Sequence, residues 1–122
     1  MYFGAHVSVA GGLQNGPVNA GELGCEVFQF FSRSPQGGPA PKLTPEMVEA
    51  FHTNCKAHDI KEWVIHAPYY INFANAEDRI RKNSIRIVRE ELERHGALGL
   101  GRAAEEDRVL AFDLAHRATC LG

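Results

Sequence analysis

The segment His66-Ala67-Pro68-Tyr69-Tyr70-Ile71-Asn72-Phe73 follows an apolar run, Trp63-Val64-Ile65, that reads as a buried strand. Parallel α/β sheets gather ligands and catalytic groups at the carboxyl ends of their strands, so His66 falls where such a fold does chemistry. An imidazole there has two readings: it presents a ring nitrogen to a ligand, or it is a core histidine satisfied by a backbone carbonyl. A second histidine, His6 in Gly4-Ala5-His6-Val7-Ser8, ends another apolar stretch, where it either caps the sheet or faces a ligand. His52, Cys55 and His58 recur every three residues, but Cys55 falls in an apolar stripe and no fourth ligand is near. A packed thiol with surface imidazoles is the expectation there. His116 and Cys120, four apart, read as chance, and neither a nucleophile elbow nor a phosphate-loop glycine pattern is present.

The elements that must position these residues alternate strand, helix, strand, helix, strand, helix. Tyr2–Val7 predicts a first strand, broken by Gly11-Gly12. Leu13–Leu23 predicts a helix closed by Gly24, its regular part starting near Gly16 because Pro17 is tolerated only in a first turn. Cys25–Phe31, rich in Val and Phe, is the second strand, and the Pro- and Gly-rich stretch from Ser32 to Pro41 is a loop. Thr44-Pro45-Glu46 starts a helix: Thr caps, Pro takes the first position and Glu meets the positive end of the dipole. Val48, Phe51 and Cys55 then mark its apolar face. Glu62–His66 is the third strand, and a long helix runs from Asn75-Ala76-Glu77-Asp78 to about His95. Ile85, Val88 and Leu92 are its predicted buried stripe. Arg79, Arg81, Lys82, Arg86 and Arg89 fall largely outside that stripe and are balanced by Glu90, Glu91 and Glu93, so they read as a solvated face. Alternation of this kind gives a parallel sheet with right-handed crossovers.

The chain has 122 residues, 44% hydrophobic and 23% charged, which suits one ordinary globular domain with a real core. A formal net charge of −2 provides no global field for nucleic acid, so any such contact must be local. Three widely spaced cysteines without a CxxC read as reduced thiols of a cytoplasmic protein. The N-terminus lacks the basic and apolar regions of a signal peptide, and no apolar run is long enough to span a bilayer.

Gly4-Ala5-His6-Val7-Ser8, then Gly11-Gly12-Leu13, then His66-x-x-Tyr69-x-Ile71-Asn72 resemble, in order and spacing, the N-terminal part of the endonuclease IV family. The likeness runs from about Met1 to Gly99. It implies an α/β fold, part of a (β/α)8 TIM barrel of the xylose-isomerase-like type, with about three βα units present. It also implies zinc-dependent hydrolysis of the phosphodiester 5′ of abasic sites in double-stranded DNA, as in base-excision repair, with Zn2+ activating water and stabilising the phosphate. By position, the resemblance makes His66 a zinc ligand and Tyr69 a neighbour of the site that approaches the DNA backbone. It turns His6 and Ser8 toward the DNA groove and sends Arg33 and Gln36, on the loop after the second strand, into the minor groove.

Two departures stand out. Many members carry an Arg-Gln-Trp-like wedge where this chain has Gln36-Gly37-Gly38, and glycine cannot fill the gap left by an extruded nucleotide. After Gly99 the pattern is lost: Gly101–Arg108 is charged where a fourth, ligand-bearing strand should follow, and a whole barrel needs roughly 250 residues. We therefore expect residues 1–99 to form the barrel units and 100–122 a divergent tail, as from a truncated or frame-shifted reading frame. Three functional readings follow. The chain is an endonuclease IV-like enzyme inactive as an isolated piece, or a non-catalytic α/β remnant self-associating through open sheet edges, or a sugar-isomerase-like barrel protein.

Overall fold

In the computed structural model, residues 1–99 are described. Their elements are β1 (Gly4–His6), α1 (Asn15–Glu22), β2 (Val27–Phe30), α2 (Pro45–Ala57), β3 (Glu62–Ile65) and α3 (Asp78–Ala97). The strands form one parallel sheet in the order β1-β2-β3. The expected tail, with His116 and Cys120, lies outside the described residues. Among the described residues, no helix is long and apolar enough to cross a membrane.

The strands are shorter than the apolar runs that predict them. β1 omits Tyr2, Phe3 and Val7, and β2 omits Cys25 and Phe31. β3 ends at Ile65, so His66 stands just past it. Pro17 is the third residue of α1, inside the first turn as its missing N–H requires. The α2 start follows its signals: the Thr44 hydroxyl accepts from the Met47 N–H at 3.2 Å and Pro45 opens the helix. A Cβ at Gly4 would run into the Val27 carbonyl oxygen, so glycine is what lets β1 lie against β2.

One face of the sheet carries the core. Register places Phe28 beside Trp63 and Phe30 beside Ile65, and all four are buried. Phe51 of α2 meets Phe28, Phe30 and Trp63 at ring-centroid distances of 6.1, 6.0 and 5.1 Å. Val7, Leu13, Ala20, Cys55, Ile60 and Leu98 complete the cluster. Alternation along the strands sends the intervening residues, including His6 and Gln29, to the opposite face.

The predicted stripe of α3 is corrected. Ile85 and Leu92 are exposed, and the helix turns Ser84, Ile87 and Glu91 inward. Two of these three inward residues are polar because their partners are loop groups that need hydrogen bonds. Ser84 Oγ accepts from the Asn72 N–H at 2.9 Å, and Glu91 meets Ser32 and Arg33. Of the expected balancing carboxylates, Glu90 pairs with Arg86 but Glu91 is turned inward, and Arg81 and Lys82 pair with Asp78 instead.

Candidate metal and nucleic-acid site at the strand ends

The carboxyl ends of the three strands bring four rings together. His6 ends β1, Phe31 follows β2, and His66 follows β3. The Phe31 ring packs against both imidazoles, 4.7 Å from His6 and 4.8 Å from His66 by centroids. The imidazoles are 5.9 Å apart, and Tyr69 stands edge-on to Phe31 at 5.3 Å and to His66 at 5.9 Å. Two backbone hydrogen bonds extend the sheet ladder into the site, from Val7 N–H to Gln29 O at 2.9 Å and from His66 N–H to Phe30 O at 2.8 Å. His6 and His66 are therefore held by sheet geometry, not by mobile loop tips.

His66 Nδ1 lies 2.6 Å from the Ala67 carbonyl oxygen. A carbonyl only accepts, so this contact is a hydrogen bond in the tautomer whose Nδ1 bears the hydrogen. Fixing one ring nitrogen on a backbone carbonyl is how proteins orient an imidazole toward a metal. The same bond also meets the bland expectation of a histidine satisfied by its backbone, and the neighbouring rings add the functional context. Burial and then the nearby His66 lower the pKa of His6, which favours its neutral form.

Of the other residues expected at the site, Tyr69 is 55% exposed beside the histidines, and the loop after β2 reaches it through Tyr69 N–H to Pro35 O at 3.2 Å. Ser8 is exposed just past β1; its hydroxyl accepts from the Ala10 N–H at 3.1 Å. The loop residue Gln36 has its Oε1 bonded by the Ser34 hydroxyl at 3.2 Å. Gly37 and Gly38 beside it have φ of 131° and 98°, a conformation that excludes a bulky wedge.

Arg33 is the correction. Its side chain is 3% exposed, donates through Nε to Glu91 and lies 2.9 Å through Nη2 from Glu90. Burial opposes its charge, but those carboxylates outweigh burial and raise its pKa. It turns toward α3 instead of out along the loop, because two carboxylates of that helix hold it in a charge-assisted pair. A pocket of about 280 Å³ beside it, between the β2–α2 loop and α3, is lined by Arg33, Glu90 and Arg94, whose charges are already paired or hydrogen-bonded.

Phe31 is the site residue that sequence reasoning missed. Its signal was the strand period: with Phe28 and Phe30 facing the core, Phe31 must turn to the face of the histidines. The His52-Cys55-His58 group is a packed one. Cys55 is buried, which pushes its thiol up to about 12, and His52 is half-buried against Trp63 at 5.8 Å. Among the described residues, no three His, Cys, Asp or Glu side chains form a group able to hold a metal.

Three parallel βα units are compatible with part of a TIM barrel, and residues 18–107 match the xylose isomerase-like TIM barrel family; the chain belongs to it. Among the proteins it resembles are several endonucleases. It is 38% identical over 96 residues to the probable endonuclease 4 of Thermoplasma acidophilum, covering 79% of this chain and 34% of that protein. It is 34% identical over 102 residues to apurinic-apyrimidinic endonuclease 1 of Saccharomyces cerevisiae, covering 81% of this chain and 28% of that protein. The crystal structure of endonuclease IV from Thermus thermophilus superposes with a TM-score of 0.75 at 33% identity, over 82% of this chain and 38% of that one. The chain thus spans about a third of the length of the relatives it matches.

Proposed function

We propose that the strand-end cluster is part of a DNA-directed phosphodiesterase site of the endonuclease IV type, acting at abasic sites. The observation that carries this reading is His66: its Nδ1 lies against Ala67 O, and His6 and Tyr69 flank it at the carboxyl ends of parallel strands. The names of the relatives, an apurinic-apyrimidinic endonuclease among them, support the same substrate class.

The described residues offer one oriented imidazole toward zinc, whereas a zinc site needs three or four ligands. They do not make a zinc site by themselves. Their own contribution is to binding. Tyr69 and His6 offer ring edges and polar tips to a DNA backbone, and Ser8 and Gln36 extend that surface along the neighbouring loops.

Two measurements on the purified chain test the reading. Zinc per protomer is expected to be far below one to one, and incubation with an abasic duplex, with and without chelator, is expected to give little or no incision. Binding of the abasic duplex in preference to the intact duplex, weakened by His66→Ala, supports the proposal. Equal or absent binding of both duplexes rejects it in favour of a non-catalytic α/β piece, the reading that the incomplete ligand set of the described residues favours.

A further inference from the structure

We propose that the inner face of α3 is the positioning device of the strand-end cluster, with Glu91 at its centre. This inference rests on the function proposed above. Glu91 is fully buried, and its carboxylate accepts from the Ser32 hydroxyl at 2.5 Å and from Arg33 Nε. Arg94, one turn further along α3, donates from Nε to Ser32 Oγ and from Nη2 to Ser32 O, both at 2.8 Å. Its Nη1 donates to Pro41 O at 2.6 Å. The two side chains therefore grip both ends of the β2–α2 loop. Ser32 is bonded by both, and it directly follows Phe31, the ring that packs against both His6 and His66.

The same helix face holds the other loop of the site. Ser84 Oγ accepts from the Asn72 N–H at 2.9 Å, at the end of the segment that begins with His66. The loops after β2 and β3 are thus each bonded by a side chain of α3.

Stability alone does not account for this arrangement. A buried carboxylate and guanidinium carry a large desolvation cost, and apolar residues of similar volume often pack at such positions with equal or better stability. What apolar side chains lack is direction. Only hydrogen-bonding groups specify where Ser32 sits relative to α3, and with it the rotation of Phe31 over the imidazoles. Glu91 touches neither imidazole and acts through Ser32 and Arg33, so it is a positioning residue.

The test is Glu91→Gln in the whole chain, with Cys55→Ala as a control that loosens the core away from the loop. Histidine ring resonances report the aromatic neighbours of His6 and His66, circular dichroism reports folding, and fluorescence anisotropy reports binding of an abasic-analogue duplex. Glu91→Gln is expected to move the His6 and His66 ring resonances and to weaken duplex binding on the order of tenfold, the scale at which outer-shell partners act. Cys55→Ala is expected to lower the melting temperature with the ring resonances in place. Should Glu91→Gln fail to fold, Arg94→Gln removes the bonds to Ser32 and Pro41 while leaving the Glu91 pair, and the same displacement is expected. Ring resonances unchanged in the folded variant overturn the inference. If the unaltered chain does not prefer the abasic duplex, the proposed function fails, and the ring resonances alone decide the positioning role.

Discussion

Glu90 and Cys55 show how local surroundings set reactivity in this chain. The Arg33 hydrogen bond, with Arg86 adding to it, holds the Glu90 carboxyl below its ordinary value of 4.5. Its folded pKa is depressed, so its contribution is present above the ordinary value and is lost as pH falls through the folded one. Denaturant titrations on either side of pH 4.5 are expected to show lower stability on the acid side, and Glu90→Gln is expected to flatten that part of the curve. Cys55, pushed up to about 12 by burial, holds its proton at neutral pH. Site-resolved alkylation is expected to modify it only at the rate of unfolding, whereas prompt modification in the folded chain would mean that the core opens locally. His66 was legible as a strand-end residue because the apolar run before it is continuous. The burial of Arg33 was not, since a Ser-Arg-Ser run inside a Pro- and Gly-rich loop gives no hint that a helix far along the chain supplies a carboxylate.

The elements differ in how far local chemistry accounts for them. α2 follows its signals: cap, first-position proline and apolar stripe agree with one another and with the observed helix. Thr44→Ala is expected to cost about 1 kcal/mol through loss of the cap. Phe51→Ala, at the meeting point of Phe28, Phe30 and Trp63, is expected to cost about 3–5 kcal/mol. Chemical denaturation checks both, and a smaller loss at Phe51 than at Thr44 would contradict the packing described. α3 departs from its signals. Two faces compete for the inside; the apolar one lost because Ser32, Arg33 and Asn72 present polar groups to the helix, and those must be satisfied where water is excluded. Ile85 and Leu92 stay outside as the consequence.

Across the whole molecule, the described sheet has two open edges, since β1 and β3 each pair with β2 alone. Unpaired backbone along a strand edge is a template for another strand. The face bearing the histidines is also uncovered by helices in the described residues, whose core cluster lies on the other side. Sedimentation is expected to show a mass that rises with concentration, and a constant monomer over the accessible range would show that the edges are inert. The matched relatives extend well beyond the length this chain covers, which is about a third of each.

Residue order alone was enough for the alternation of strands and helices, the start of α2 and the placing of His66 at a strand end. These rest on periodicity, capping and turn chemistry, which act within a few residues of one another. The convergence of His6, Phe31, His66 and Tyr69, the inward turn of Arg33 and the polar face of α3 rest on contacts between segments distant in sequence. Such contacts are settled by which buried polar groups can find partners once the sheet has closed against its helices, and no local pattern records that outcome.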